Sequence, residues 1–331
     1  MELELQSRAQ KLQLETDFNA FVTTAWPIID PSEYRPNWAT EALADHLSAV
    51  TQGQVSRLLV NFPPRGGKTN ICSILWLAWT WCRRQHTFHS GPGVRFLAGS
   101  YGLRLTLENA NKTRRLIESD WYRKLWPHIS IRPDQNTKES FDIVGGGNRA
   151  STSVGGSLLG LGGDIIVVDD PHNVEPGSIE SDAERSTARS WFNELRSTRL
   201  NSPKQSAIVV IMQRLHEDDV SGMICSGEDY ADWTHLILPM EYEWRKHCVT
   251  TLPVVPLLSE AIALNAVVQS SQGLSGYVYP GFQPGWQAPD LQQPTDNGSV
   301  GRGREARERQ RVQLPRREQA MGQDWAQLGR L

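Results

Sequence analysis

Apolar and polar positions fall into two textures along the first 245 residues. Segments 57–61, 94–98, 165–168 and 207–212 are short apolar runs bounded by Gly, Pro, Asp or Ser, the pattern of buried strands. Between them lie longer mixed segments that read as helices: residues 1–25 with Leu3, Leu5, Ala9, Leu12 and Leu14 loosely periodic, residues 38–50, residues 103–126 closed by Pro127, and residues 181–200 opening on a Ser-Asp-Ala-Glu start signal. Residues 69–84 are apolar almost all round, as expected of a helix packed beneath a sheet. Segments 141–144 and 150–154 flank a glycine run and predict a hairpin. Strands alternating with helices predict an α/β fold with a mostly parallel sheet covered on both faces.

From about residue 250 this texture is lost. Residues 270–315 are rich in Gly, Pro, Gln and Ser and sustain neither period, and Arg302, Arg304, Arg307, Arg309, Arg311, Arg316 and Arg317 make a basic run. The expected organisation is therefore an N-terminal helical segment (1–50), an α/β domain (51–245) and an irregular, disordered or frameshifted tail (246–331).

The 331 residues, 39% of them hydrophobic, suffice for one core with appendages. A net charge of -3 and an isoelectric point of about 6.3 mean that any nucleic-acid contact must come from a local patch. Cys72, Cys82, Cys225 and Cys248 show no close pairing, which suits a reducing cytosol. Cys82, His86 and His89 lack a fourth metal ligand and read as a helix end. The apolar stretch 71–82 is too short to span a bilayer and the N-terminus lacks the apolar core of a signal peptide, so neither membrane insertion nor export is expected.

The chemistry concentrates at strand ends. Residues 58–70 carry an apolar strand into Phe62-Pro63-Pro64-Arg65-Gly66-Gly67-Lys68-Thr69 and on into an apolar helix. Such a loop wraps a phosphate with backbone N–H groups at a helix N-terminus, Lys68 reaches the β- and γ-phosphates of ATP, and the Thr69 hydroxyl sits on Mg²⁺. Pro64, Arg65, Gly66, Gly67, Lys68 and Thr69 form the nucleotide-binding set. Phe62 stands where the first glycine of the usual pattern belongs, and Arg65 adds a second cation. Residues 165–168 deliver Asp169 and Asp170 to a strand end, where Asp169 is placed to hold Mg²⁺ through water and Asp170 to polarise the attacking water. Residues 207–212 end at Gln213, whose amide is placed to sense the γ-phosphate. Lys68, Asp170 and Gln213 are thus the catalytic candidates, and Thr69 and Asp169 the metal ligands. Glu217, Asp218 and Asp219 read equally as an acidic helix cap.

With these elements placed, residues 18–245 resemble the ATPase half of a phage terminase large subunit. The likeness rests on Asn61 to Thr69, Gly99-Ser100-Tyr101, Ile117 to Tyr122, Thr152 to Gly156, Val168-Asp169-Asp170-Pro171 and Met212 to Asp219, in that order and spacing. The resemblance implies an ATPase core of the additional-strand P-loop class (ASCE) in the cytoplasm of a bacterial host. It also implies a homo-oligomeric ring on a portal protein that works with a small terminase subunit and drives double-stranded DNA into a procapsid. Such a ring needs an arginine that reaches a neighbour's nucleotide, for which Arg149, Arg196 and Arg199 are unranked candidates. Arg104, Lys112, Arg114 and Arg115 suit either a DNA channel or a solvated helix face.

The nearest rival, a DNA helicase or translocase of related fold, needs a second motor domain that residues 246–331 do not pattern. A third reading is an inactive nucleotide-binding prophage remnant. The family normally continues into an RNase H-like nuclease with a two-metal acidic site. Glu260, Asp290 and Asp296 do not fall at strand ends, so the nuclease is expected to be lost here through truncation or a frameshift in a decaying prophage. Translation of the downstream DNA in the other two frames is expected to reveal a nuclease-like continuation, and its absence there removes the frameshift.

Overall fold

The computed structural model describes residues 2–83 and 87–238, and the predicted tail lies outside them. Its elements are α1 (Glu2–Thr16), α2 (Phe18–Ile29), α3 (Trp38–Thr51), β1 (Arg57–Asn61), α4 (Lys68–Asn70), a π-helical turn (Ile71–Leu75), α5 (Trp76–Cys82), β2 (Arg95–Ser100), α6 (Leu103–Glu118) and α7 (Asp120–Leu125). There follow β3 (Ile131–Asn136), β4 (Ser140–Ile143), β5 (Asn148–Ser153), β6 (Ile165–Asp169), α8 (Asp182–Thr198), β7 (Ala207–Met212), α9 (Val220–Ser226) and β8 (Thr234–Ile237).

One eight-stranded sheet has the order β3-β4-β5-β2-β6-β7-β1-β8. From β5 to β8 every pairing is parallel, and β3 and β4 add an antiparallel edge. The strands are apolar on both faces because both faces are covered. Leu58, Val60, Phe96, Ile165, Val167, Val209 and Ile211 pack against the helices that precede β3. Leu59, Leu97, Ile166, Val168, Ile208 and Val210 face the other way, onto α8 and α9. Among the described residues no helix is long and apolar enough to cross a membrane.

The predicted hairpin is present as β4 and β5, turned through Gly145 and Gly146 at positive φ. Four boundaries differ from the expected pattern, each for a local reason. Residues 1–25 form two helices because Asp17 caps the second, its carboxylate accepting from Ala20 N at 3.1 Å. Pro27, which sequence alone reads as a break, lies inside α2 two residues before its end, so the helix gives up one i→i−4 hydrogen bond there and stops soon after it. Residues 103–126 break at Ser119, whose hydroxyl accepts from Tyr122 N at 3.2 Å and starts α7. The strands β3 and β8 lack an apolar signature since both lie at the sheet's edges, and an edge tolerates Pro133 inside β3.

Large aromatic side chains fill the first core. Trp76, Trp79 and Trp81 are fully buried on α5, the helix that follows the loop after β1, and their ring nitrogens donate to Thr51 Oγ1, Leu14 O and Val94 O. Phe96 of β2 meets Trp76 and Trp81 edge-on, with ring centroids 5.9 and 5.4 Å away. Replacing Phe96 by Ala removes the ring between them and is expected to cost about 3–5 kcal/mol, read from urea unfolding.

Candidate functional site

The carboxyl ends of four neighbouring strands are level. Asn61 pairs with Met212, Asp169 with Ile211 and Ser100 with Asp169, so the residues that follow β1, β7, β6 and β2 emerge at one edge. Ligands of open α/β sheets bind at such an edge.

The loop after β1 is shaped by one aromatic ring and two unusual backbone angles. Phe62 is buried, continues the ladder through its N–H to Met212 O at 3.0 Å, and lies so close beneath Gly66 that a Cβ there would strike its ring. The residue in place of the first glycine therefore forms the floor of the loop. Gly67 has φ +81° as the residue before α4, and a Cβ on it would come within 3.0 Å of Trp26 on α2. Arg65 also has positive φ, at 62°, and is exposed beside the loop. Pro64 is exposed with it.

Lys68 is buried, and its Nζ lies 2.7 Å from Asp170 Oδ2. Asp170 sits at φ 45°, a conformation L-residues rarely adopt but Asp tolerates. Three hydrogen bonds hold it there: Asp170 N donates to Ile211 O, Tyr101 N donates to Asp170 O, and Gln213 N donates to Asp170 Oδ1 at 3.2 Å. Lys68, Asp170 and Gln213, drawn from three separate segments, are thus in contact. The Gln213 side chain is half-buried at the same edge.

Thr69 and Asp169 also meet. Thr69 Oγ1 donates to Asp169 Oδ1 at 3.3 Å, and Ser73 Oγ donates to Asp169 Oδ2 at 2.7 Å. Burial, and next the charge of Asp170, push the Asp169 carboxyl up to about 6, against the opposing pull of Ser73, Lys68 and Thr69. This pair of oxygen-bearing side chains is a hard donor set of the kind Mg²⁺ takes, and a cation there would return Asp169 to its ionised form.

No family model matches the chain, and no curated protein matches it. Among solved structures, the crystal structure of the HK97 bacteriophage large terminase aligns with 70% of this chain and 46% of its own, at 11% sequence identity and a TM-score of 0.44. The chain thus spans less than half the length of that terminase.

Other predicted residues separate from the site. Arg149 is fully buried beneath α6, its Nη1 on Ser151 Oγ and Nη2 on Thr106 O, and burial pushes it down to about 9. A guanidinium so enclosed cannot reach a neighbouring subunit, and Arg149 leaves the set of trans arginines. Arg196 stacks over Tyr230 at 4.6 Å and Arg199 lies 3.4 Å from Glu194. Both close α8 near Gly163, at the opposite edge of the sheet from Lys68. Of the basic residues on α6, Lys112 donates to Asn70, Arg115 to Ile29 O and Arg114 to Asn136, which leaves Arg104, paired with Glu108, as the one directed fully at solvent. Asp219 proves to be a cap: fully buried, it accepts from Gly222 N, Leu215 N and His216 N. Cys82 and His89 are buried, and His86 lies outside the described residues.

Sequence reasoning missed Ser73 and His172. Ser73 is a polar residue in the apolar run 71–79, one helical turn beyond Thr69, and that spacing was its signal. His172 Nε2 accepts from Val220 N at 2.9 Å and ties the segment after Asp170 to the start of α9, a long-range contact with no local signature.

The raised value of Asp169 has a stability consequence. Because its folded-state value exceeds the ordinary 3.8, the fold favours the protonated form. That stabilisation is complete below about pH 4 and is lost as pH rises through about 6. Asp169→Asn, which mimics the neutral form, is expected to raise nucleotide-free stability by about 2 kcal/mol at pH 8 and to change it little at pH 4. Urea unfolding at the two pH values measures the difference.

Proposed function

We propose that residues 51–245 are an ATP-hydrolysing motor domain of the additional-strand P-loop class (ASCE), belonging to a phage or prophage terminase large subunit. The observation that carries the ATPase reading is the meeting of the two strand ends: Lys68 on Asp170 at 2.7 Å and Thr69 on Asp169 at 3.3 Å. The class is supported by the strand order, in which β7 lies between the phosphate-loop strand β1 and the aspartate strand β6. The terminase reading rests on the order and spacing of the six motif stretches, and packaging of double-stranded DNA through a ring on a portal, with a small subunit, follows from it.

In this reading Lys68, buried and paired in the free protein, exchanges Asp170 for the phosphates of ATP. Asp170 is then free to orient and deprotonate the attacking water, held at φ 45° by its three hydrogen bonds. Gln213, bonded to Asp170 through its backbone, reports the state of that carboxylate to the segment leading into α9. Thr69 and Asp169 would hold Mg²⁺, which when bound neutralises charge on the phosphate oxygens.

ATP hydrolysis by the purified protein, with and without double-stranded DNA, is the direct test. Lys68→Ala and Asp170→Asn are each expected to lower kcat by about 10²–10³-fold, Asp170→Asn with nucleotide still bound. Activity unchanged by Lys68→Ala removes the site assignment. Stimulation by single strands with duplex unwinding favours a helicase instead.

A further inference from the structure

Two short segments at the site are joined to each other twice. Residues 170–172 follow β6, and residues 213–220 lead from β7 into α9. At one end Gln213 N donates to Asp170 Oδ1 at 3.2 Å, and at the other Val220 N donates to His172 Nε2 at 2.9 Å. Between those two points the second segment is folded around the buried carboxylate of Asp219. Leu215 N and His216 N donate to its Oδ2 at 2.9 and 3.2 Å, Gly222 N donates to Oδ1 at 2.7 Å, and Arg214 Nε lies 3.4 Å from Oδ2. Four contacts to one buried acid make the loop a rigid frame. His172 is buried as well, and burial holds its imidazole below the ordinary value. The ring is therefore neutral, and Nε2 keeps the lone pair that accepts from Val220.

The turn that these two bonds bracket is an unfavourable one. Asp170, at φ 45°, is followed by Pro171. A proline drives the residue before it toward extended backbone, so the positive φ of Asp170 opposes both its own preference and that of its neighbour. The ladder of β6 fixes the chain before Asp170, and the His172 ring fixes it after Pro171. We propose that His172 is a positioning residue for Asp170: through Val220 it anchors the far side of the Asp170–Pro171 turn and holds the carboxylate over the end of β7. The proposal rests on the ATPase reading, in which ATP draws Lys68 away from Asp170. From that moment the ion pair no longer steadies the carboxylate, and the anchor at His172 and the amide of Gln213 keep it aimed at the attacking water. Without the anchor the turn relaxes toward extended backbone and the carboxylate leaves the line of attack. Nucleotide binding is spared, because the loop that carries Lys68 follows a different strand.

Two substitutions in the full chain delete the bond from opposite sides. His172→Leu removes the acceptor. Val220→Pro removes the donor at a place that takes proline, since Val220 is the first residue of α9 and Asp219 before it is extended, at φ -70° and ψ 174°. In ATP hydrolysis each is expected to lower kcat by about 10²-fold with KM for ATP within about twofold of wild type, and the double variant to be no slower than either alone. His172→Gln, whose side-chain oxygen accepts from Val220 N, is expected to keep kcat within about threefold of wild type. In the nucleotide-free protein the amides of Tyr101 and Gln213, both donors to Asp170, are expected to exchange with solvent about tenfold faster in the two deletion variants but not in His172→Gln. If His172→Leu does not fold, Val220→Pro decides. An unchanged kcat, a raised KM in place of a lowered kcat, or a His172→Gln as slow as His172→Leu overturns the positioning role, and loss of activity in Lys68→Ala then leaves the ATPase reading standing. Activity indifferent to Lys68→Ala overturns the ATPase reading instead, and the exchange of Tyr101 and Gln213 decides the anchor by itself. Unchanged exchange in a folded deletion variant overturns the anchor whatever the kinetics.

Discussion

The wholly apolar strand Ala207–Met212 separates β1, which feeds the Gly-Gly-Lys-Thr loop, from the strand that ends in Asp169 and Asp170. Two strand spacings put those ends roughly 10 Å apart, beyond the reach of two short side chains. The gap is closed from both sides. Lysine supplies length from the helix N-terminus, and the backbone of Asp170 turns to φ 45° so that its carboxylate leans over the end of β7. The intervening strand contributes as well, since Gln213 N, the first amide beyond it, donates to that carboxylate. A three-strand distance is thereby turned into one contact set, and each member depends on the level ends of the parallel strands.

The second aspartate obeys a different constraint. Asp169 belongs to the face of β6 that packs on the helix after the loop, where Ile165 and Val167 are core residues. A carboxylate in that position is desolvated, and two hydroxyls one helical turn apart, on Thr69 and Ser73, offset only part of the cost. The fold accepts a group that resists ionisation where a cation would reverse that preference. Strain of this kind, a buried acid beside a left-handed one, is expected where a site is arranged for a ligand and not for the free protein's stability.

Much of this was legible in the sequence because it is local. The apolar runs that became β1, β2, β6 and β7 are buried on both faces and so carry no polar interruption, and the Gly-Lys-Thr triplet announces itself between a strand and a helix. Asp169 and Asp170 were legible for the same reason, as the abrupt end of such a run. What stayed hidden is what depends on distant partners or on partial exposure. The edge strands β3 and β8 bury little and so lack a pattern. Phe62 looked like a departure from the loop's usual glycine, and only its place under Gly66 shows it to be a packing element. Arg149 looked available on composition alone, and its burial beneath α6 could not be read from its neighbours in sequence.

The N-terminal helices bear on the site more directly than their sequence suggests. Trp26 of α2 stacks on Tyr34, with centroids 4.8 Å apart, and its indole closes against Gly67, so the left-handed turn that launches the loop helix is braced from outside the sheet. One residue past Thr69, Asn70 donates to Asp30 Oδ2 at 2.9 Å and accepts from Lys112 Nζ at 3.1 Å. Asp30 itself is held down to about 2, chiefly by the Ser32 hydroxyl and amide, and so stays ionised to receive both. The first turn after the loop is thus pinned between the end of α2 and the middle of α6, while Lys68 and Thr69 are engaged by the aspartates from the sheet. The loop and Lys68 are held in one orientation by opposed supports: the apolar sheet below sets the height of the strand ends, and the α2–α6 bridge sets the direction in which the helix leaves them.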